Sequence, residues 1–519
     1  MAKIAWNVDW TQYYGCLSDE DMTEEGLRRW IRHYAGSQIS DIVLNPNGQR
    51  TSYRSDVWDY LADGYDPNNP ENYRFFSKLA ERAWQGAWES DIPHHLWLLE
   101  QRGLDHYAIW IDECRKCGLS PWFSMRMNDI HGVNDDSYYF HSKFWKDHPE
   151  FRCAEYRYFV DCGPASCVDG TVAERSADDP GFDYQELEKA WQDRTLDYAH
   201  PEVRAHMLKL VEEYITRFDL DGLELDFLRW LSYFRPGFQE QGIPIMTEFV
   251  GEVRALLDKQ PHGHPIKLGI RVPIQIEACL SYGLDPLDWI DRGWIDQVVP
   301  MQRYDGYASI APFEIWRRLL NGTKVTLCGG LDIGIRPCQK IYSGKTTLEA
   351  TRAFCSSLLH KGADKIYLFN YIEGDSGIEE TQTLIREVGS LDTIVGKPRR
   401  HIYGWMDLQP QGQGPSKVLP LPLKKLCVQD IRMHLGKAAG EKATVCVATL
   451  SDAPLHIRVN GVECPPIALV ELAHPTPPEG TFTWRYDVPA GAVHDGYNNL
   501  ELTASKADTV IWIEVDLSE

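Results

Sequence analysis

Short apolar segments, many of them rich in β-branched residues, alternate with amphipathic segments along the first three quarters of the chain, and this alternation restricts the fold more than any other feature. The predicted strands are residues 3–8, 42–44, 121–127, 222–227, 267–272, 297–301, 324–329 and 365–369. Eight parallel β/α units predict an α/β fold, a (β/α)8 TIM barrel, over residues 1–397. The alternative, a doubly wound open sheet, usually carries a glycine-rich loop after its first strand, where this chain has Asp9-Trp10-Thr11-Gln12.

Two connections in the predicted barrel, at about residues 46–93 and 129–200, are much longer than the others. Connections of this length in a compact domain are commonly functional. Both follow predicted strands, so a barrel places them on its C-terminal face, where barrel active sites lie. Both are rich in Trp, Tyr and Phe, and we expect their aromatic side chains to line the site.

The C-terminal part of the chain has a different pattern. Residues 398–422 are rich in Pro, Gly and Gln and predict a connector. Residues 423–519 contain short alternating runs separated by Asn-Gly, Asp-Gly and Pro-Ala-Gly turns, which predict a β-sandwich. Residues 486–491 and 496–502 resemble galactose-binding-like jelly rolls. We expect the main role of this domain to be packing against the barrel.

The charge balance excludes several classes of partner. The chain has 53 Lys and Arg against 76 Asp and Glu, a formal net charge of −23, whereas binding to nucleic acid or to an anionic membrane needs a positive surface. No apolar run approaches the length of about 18 residues that a membrane-spanning helix needs. Thirteen scattered cysteines fit reduced thiols better than a disulfide framework, which favours a cytoplasmic location. The oligomeric state stays open.

Aromatic residues and two acids point to a carbohydrate site. The 18 Trp and 25 Tyr exceed what a core needs, and sugars are the commonest polar ligands with flat apolar faces. On the fourth predicted strand, Leu223, Leu225 and Phe227 alternate with Glu224 and Asp226. The apolar set is expected to face the helices, so the two acids point into the barrel, with Asp226 nearer the C-terminal mouth. Buried carboxylates are costly unless paired, and such residues are often functional.

The candidate partners of these acids are arginines on the neighbouring strands. Arg126 and Arg271 are both expected to point inward, and an ion pair of Glu224 with one of them is the main structural alternative to a catalytic role for Glu224. For Asp226, at the mouth, a functional role is the stronger expectation.

The motif Asp-Gly-x-x-x-Asp at residues 221–226 resembles the nucleophile strand of barrel glycosidases of the α-amylase and α-galactosidase type. Further segments resemble glycosyl-hydrolase-like barrels, in the same order along roughly residues 1–395: 124–131, 144–150, 271–273, 283–285 and 295–300. The resemblance implies a hydrolase that cleaves the O-glycosidic bonds of an oligo- or polysaccharide, with Asp226 as nucleophile. The chain departs from the amylase pattern at Glu224, where those enzymes have an arginine.

Cleavage of a glycosidic bond needs a second carboxyl group. The resemblance offers Glu277 as the first choice, because amylase-like proteins take their acid from the fifth strand, and Asp305 as the second, because galactosidase-like proteins take it from the sixth. Asp129, Asp332 and Glu373 also follow predicted strands. Glu224 is expected to tune Asp226 or to hold a substrate hydroxyl.

Polar residues at nearly every strand end are candidates for binding sugar hydroxyls. They are Asp9, Asn45, Arg126, Asn128, Asp129, His131, Arg271, Gln302, Tyr304 and Asn370. We expect a carbohydrate partner, no organic cofactor and no catalytic metal. Two other classes stay open: a barrel enzyme of different chemistry, such as a lyase or a metal-dependent hydrolase, with a metal or a His or Tyr base in the mouth, and a non-catalytic carbohydrate-binding barrel, in which a salt bridge locks Asp226.

Overall fold

A computed structural model describes residues 4–9, 11–68, 88–131, 139–153, 194–302, 310–335, 344–371, 378–404, 410 and 419–518. Eight parallel strands form a closed barrel in which β8 returns to pair with β1. The strands are β1 (Ile4–Val8), β2 (Ile39–Leu44), β3 (Ser120–Arg126), β4 (Gly222–Asp226), β5 (Lys267–Pro273), β6 (Gln297–Met301), β7 (Thr326–Asp332) and β8 (Lys365–Phe369). The predicted (β/α)8 barrel is therefore confirmed.

Helices follow most barrel strands and carry the boundary signals of their sequences. They are α1 (Thr11–Cys16), α2 (Glu24–Arg32), α3 (Trp88–Gln101), α4 (His106–Lys116), α5 (Lys143–Asp147), α6 (Pro201–Arg217), α7 (Gln239–Leu257), α8 (Ile276–Ser281), α9 (Pro286–Asp291), α10 (Phe313–Leu319), α11 (Leu348–His360), α12 (Ile378–Glu387) and α13 (Leu391–Ile394). The Asp105 side chain caps α4 by accepting from the amide of Ala108. After α4, Gly118 takes the left-handed conformation, with φ 71°, that ends a helix.

One large side chain occupies the interior of the barrel near its N-terminal end, opposite the mouth. Trp122 on β3 is buried, and the neighbouring strands leave room for it with glycine: a Cβ atom at Gly222 would lie 2.4 Å from the Trp122 ring, and one at Gly269 would lie 3.1 Å from it. Above Trp122, the register aligns Ser124 with Glu224 in a middle layer. Polar groups lie below this ring as well, where Lys365 pairs with Asp41 and the Trp122 indole donates to Ser120 at 3.1 Å, but the charged cluster described below lies toward the mouth.

The long connections contain more regular structure than the sequence indicates. Helix α3 begins at Trp88, inside the segment predicted to be a loop to residue 93, and it accommodates Pro93 near its first turns. The part of the first connection that the structure describes is fixed to the barrel: Gln49 donates to the Asp129 carbonyl at 2.8 Å, and Tyr53 donates to Glu213 at 2.6 Å. Much of the aromatic-rich second connection, residues 132–138 and 154–193, lies outside the described residues.

Antiparallel sheets follow the barrel, as the predicted β-sandwich requires. One sheet contains Arg399–Ile402, Leu421–Leu423, Lys442–Thr449, Pro466–Leu469, Phe482–Val488 and Asp508–Ser518, and the other contains Val428–His434, His456–Val459, Val462–Cys464 and Tyr497–Thr503. Apolar side chains from both sheets form a second core, separate from that of the barrel. The first sheet begins at Arg399, inside the segment predicted to be a connector.

The sandwich packs directly on the barrel. Ile402, Ala448 and Trp512, which lie on one face of the first sheet, belong to the hydrophobic core of the barrel. At the edge of this contact, Ser357 on α11 is 2.7 Å from His434 Nδ1. Among the residues that the structure describes, no helix combines the length and the apolar character that crossing a membrane would need.

Candidate functional site

The upper layer of the barrel brings together three charged residues from adjacent strands. The β3–β4 register aligns Arg126 with Asp226, and the β4–β5 register aligns Asp226 with Arg271. In-register neighbours in a parallel sheet point to the same face, so all three side chains enter the barrel near its C-terminal mouth. The sequence prediction that Asp226 points into the barrel at this end is therefore confirmed.

Asp226 is held by donors on both carboxylate oxygens. Arg271 donates to Oδ2 at 2.7 Å, and the backbone amides of Leu228 and Arg229 donate to Oδ1 at 2.9 and 3.1 Å. Its side chain is only 2% exposed. These three donors hold the carboxylate in a fixed orientation.

Arg271 is itself fixed from three directions. Besides Asp226, it contacts the sulfur of Met301 at 3.4 Å, and its guanidinium lies 3.8 Å from the centre of the Phe369 ring. Burial lowers the pKa of Arg271, but Asp226, Tyr367 and Glu224 together raise it above its usual value. The pair is thus a buried, oriented ion pair at the end of β4 and β5.

Glu224 lies one layer below Asp226 in a different environment. Its Oε1 accepts from the hydroxyls of Ser124 and Tyr367, both at 2.7 Å, and its Oε2 is buried with no hydrogen-bond partner among the described residues. Burial, reinforced by the nearby charge of Asp226, raises the pKa of Glu224 to about 7. The expected ion pair of Glu224 with Arg126 or Arg271 is wrong, because both arginines reach carboxylates nearer the mouth.

The raised pKa of Glu224 predicts a measurable effect of pH on stability. Between pH about 4.5 and about 7, the unfolded chain releases the proton that the folded chain keeps. The free energy of unfolding therefore falls as pH rises through this window, by about 3 kcal/mol from this group. Glu224→Gln mimics the protonated form and removes the effect.

We therefore expect Glu224→Gln to gain stability relative to the wild type as pH rises from 4.5 to 8, since Gln Oε1 can still accept from Ser124 and Tyr367. Urea unfolding of both proteins at each pH measures the difference, in which all other titrating groups cancel. A difference that is independent of pH would show that Glu224 titrates normally.

Arg126 organises the other side of the mouth. It donates to Asp9 Oδ2 at 2.6 Å and to Asp129 Oδ2 at 3.0 Å. Burial lowers the pKa of Arg126, but Asp9, Asp129 and Asp226 together raise it above its usual value. Burial also opposes the ionisation of Asp129, yet contacts with His131 and Arg126 hold its pKa well below the usual range.

His131 extends this network toward solvent. The other oxygen of Asp129, Oδ1, accepts from the amide of His131 at 3.0 Å and lies 2.7 Å from its Nδ1. His131 Nε2 lies 2.9 Å from a terminal nitrogen of Arg229. The His131 side chain is 32% exposed. The hydrogen-bonded side chains of Arg126, Asp129, His131 and Arg229 therefore extend from the buried part of the mouth to its rim.

Two of the remaining predicted residues bind the backbone, and two others directly follow strands. Asn45 and Asn128 are buried and bond to backbone: Asn45 donates to the Ser124 carbonyl at 2.7 Å, and Asn128 joins the chain at Leu196 and Ser232. These two contacts are structural, although Asn45 Oδ1 has no partner among the described residues. Gln302 is buried directly after β6, and Asn370 follows β8.

Asn370 and Glu277 lie in the described part of the chain, whereas most of the other candidates after strands 6 and 8 do not. Asn370 has φ 56° and a buried Oδ1 without a hydrogen-bond partner in the described part of the chain. Glu277 is exposed in the first turn of α8. Asp305, Tyr304 and Glu373 lie outside the described residues. The choice between Glu277 and Asp305 as the acid therefore stays a prediction.

Three residues of the candidate site were not found by the sequence analysis. Tyr367 donates to Glu224 and accepts from Asn7 Nδ2 at 2.8 Å. Ser124 and Arg229 complete the set. Alternation within β8, where Tyr367 and Phe369 share a face, was a usable signal for Tyr367, whereas Arg229 follows the strand and has no periodic pattern to mark it.

Comparison with known proteins gives similarity in structure only, since no known protein family and no curated protein sequence matches the chain. Solved glycoside hydrolases are similar to it. The glycoside hydrolase domain of PgaB from Bordetella bronchiseptica is 12% identical with a TM-score of 0.40, covering 75% of this chain and 99% of that one. An α-L-fucosidase from Vibrio sp. strain EJY3 is 10% identical with a TM-score of 0.35, covering 100% and 96%.

A third similar structure is α-L-fucosidase isoenzyme 2 from Paenibacillus thiaminolyticus, at 12% identity and a TM-score of 0.41, where the match covers 74% of this chain and 48% of that one. This chain therefore spans about half the length of that enzyme. Similarity at this level identifies neither a substrate nor a catalytic residue, so the chemistry of the mouth has to be argued from its own side chains.

Proposed function

We propose that the chain is a glycoside hydrolase that cleaves O-glycosidic bonds of an oligo- or polysaccharide at the C-terminal mouth of the barrel, with Asp226 as its central carboxylate. The observation that carries the proposal is the pair of acids on β4. Asp226 is oriented by Arg271 and two amides at the mouth, while Glu224, one layer below, has a pKa raised to about 7. Two carboxyl groups held in different environments, one oriented by an arginine and one with a raised pKa, are a recurring feature of glycosidase sites.

In this proposal Asp226 acts on the anomeric carbon, either by attacking it or by holding the water that does. Arg271 keeps the carboxylate oriented, and Glu224, which is largely protonated at pH values below about 7, adds little negative charge beneath it. Glu224 is a positioning residue here, because it contacts Ser124 and Tyr367 rather than the open mouth.

The leaving oxygen requires a proton from a second carboxyl group. Glu277 and Asp305 remain the candidates. A general acid needs a pKa raised toward neutrality, commonly by burial. Because Glu277 is exposed on α8, we favour Asp305, which follows β6.

Leaving-group dependence separates the two acids. We expect Asp305→Asn to lower kcat/KM by about 10²- to 10⁴-fold on glycosides with poor leaving groups and much less on nitrophenyl glycosides, whose leaving group needs no proton. Glu277→Gln is the matched control and should leave both rates unchanged. Assays with alkyl and nitrophenyl glycosides test this. The reverse pattern would assign the acid to Glu277, and no effect from either variant would count against both.

A second candidate function, a non-catalytic carbohydrate-binding barrel, is favoured by one specific observation. Asp226 is 2% exposed and its Oδ2 is occupied by Arg271, as expected of a structural salt bridge. This candidate predicts that oligosaccharides bind to the wild-type protein and are recovered intact. Chromatography of a polysaccharide panel after long incubation distinguishes it from the hydrolase.

A further inference from the structure

Within the described part of the chain, one arginine at the mouth lacks the acid partners that two others have. Arg126 binds Asp9 and Asp129, and Arg271 binds Asp226. Arg229 lies beside them, since its own backbone amide donates to Asp226. Among the residues that the structure describes, no carboxylate lies within ion-pair distance of its guanidinium. With the described residues, the half-buried side chain makes one polar contact, at a terminal nitrogen, and its buried Nε makes none.

The contact that Arg229 does make holds it in place without neutralising it. Asp129 accepts from the His131 amide and engages Nδ1, which assigns the proton to Nδ1. The other ring nitrogen, Nε2, is then an acceptor and receives the hydrogen bond from Arg229. The imidazole therefore positions the guanidinium at the rim, and as an acceptor at Nε2 it brings no negative charge to it.

An arginine with no acid partner among the described residues is unexpected in this protein. The chain has 76 Asp and Glu but only 53 Lys and Arg, so carboxylates are abundant and most cations could be paired. A half-buried guanidinium without an acid is costly. It is also suited to bidentate binding of an oxyanion, because its planar fork matches a carboxylate or sulfate.

We infer that Arg229 binds an oxyanion substituent of the substrate, a carboxylate or sulfate ester on the sugar, and so makes the site selective for acidic over neutral glycans. The inference rests on the proposed function for its cleavage step, but the binding step does not depend on it. Local positive charge at the rim would also offset the repulsion of an anionic glycan by a chain of net charge −23.

A purely structural role for Arg229 makes different predictions. Its guanidinium carbon lies 5.7 Å from the centre of the Trp230 ring, near the outer limit of a cation–π contact. If that contact were the purpose of the residue, its removal would lower stability and would leave substrate selectivity unchanged.

The test uses the full chain and matched pairs of nitrophenyl glycosides: glucuronide and glucoside, galacturonide and galactoside, and sulfated and unsulfated galactoside, each as both anomers. We expect kcat/KM for the preferred acidic substrate to exceed that for its neutral parent by about 10- to 100-fold, the range expected of hydrogen bonds to a charged group. The uronides and the sulfated sugar separate the two sources of the oxyanion.

Three variants assign the selectivity. Arg229→Gln should bring the acidic-to-neutral ratio close to one, and Arg229→Lys should keep part of it, since lysine keeps the charge without the fork. Arg386→Gln, on the exposed side of α12, is the control and should leave the ratio unchanged. Equal rates on both members of every pair, or an unchanged ratio in Arg229→Gln, would overturn the inference while the hydrolase proposal stands.

Calorimetric titration with free uronic acids, sulfated galactose and the parent sugars covers the case in which nothing is hydrolysed. Binding of an acidic sugar that is lost in Arg229→Gln would support the inference and count against the hydrolase. Binding of neither acidic nor neutral sugars, together with no hydrolysis, would overturn both.

Discussion

Asp226→Asn is expected to lower kcat/KM on any glycoside that the wild type cleaves by roughly 10³- to 10⁶-fold, the range seen when a group that acts directly on the reacting atom is removed. The amide keeps the shape of the side chain, but it cannot attack the anomeric carbon or accept a proton from water. Initial rates on nitrophenyl glycosides, corrected for the folded fraction by circular dichroism, measure the loss.

Asp258→Asn is a suitable comparison for Asp226→Asn, because it is the same change at an exposed position at the C-terminal end of α7. A rate loss below about tenfold in folded Asp226→Asn, which corresponds to less than about 1.4 kcal/mol of transition-state stabilisation, would mean that Asp226 is a structural partner of Arg271. The hydrolase proposal in its present form would then fail.

Arg271→Met is expected to lower the free energy of unfolding of the barrel by about 3–5 kcal/mol. Methionine can fill the space beside Met301 and Phe369, but it leaves the Asp226 carboxylate buried at 2% exposure with only two backbone donors. Most of the loss is the cost of that uncompensated charge. Denaturant unfolding followed by tryptophan fluorescence measures it.

Two further variants make the interpretation of Arg271→Met specific. Asp226→Asn combined with Arg271→Met should recover most of the loss, because no unpaired charge then remains. Arg292→Met breaks an exposed pair with Asp288 one helical turn away and should cost less than about 1 kcal/mol. Additive losses in the double variant would contradict the account of a coupled ion pair.

The barrel could be predicted because the sequence patterns that mark its strands and helices each lie within a short stretch of the chain. Strands 297–301 and 365–369 were predicted at the bounds that the structure has, since each is a short apolar run between helix signals. Helix α3 was missed because Pro93 disfavours a helix interior, and Arg399–Ile402 was missed because a charged edge strand has little apolar alternation. Its pairing with Asp508–Ser518, more than 100 residues later, fixes it as a strand.

The sequence predicted the candidate site only in so far as the alternation of side chains along a strand shows which residues share a face. Alternation along β4 showed that Glu224 and Asp226 share a face, but it carries no information on which arginine each one meets. That depends on the stagger between strands, which aligns Arg271 with Asp226 and leaves Glu224 level with Gly269. The Tyr367–Glu224 contact crosses the barrel between residues 143 positions apart, a relation that no local pattern records.

Chemical rescue of Asp226→Ala by azide tests the central claim most directly. In the proposed reaction, azide fills the space of the missing carboxylate, forms the bond to the anomeric carbon as the bond to the nitrophenolate leaving group breaks, and yields a glycosyl azide of inverted configuration. We predict that azide restores turnover of a nitrophenyl glycoside and that this product is found by NMR. Activity of Asp226→Ala equal to that of the wild type, or a wild-type protein that binds oligosaccharides and never cleaves them, would contradict the account.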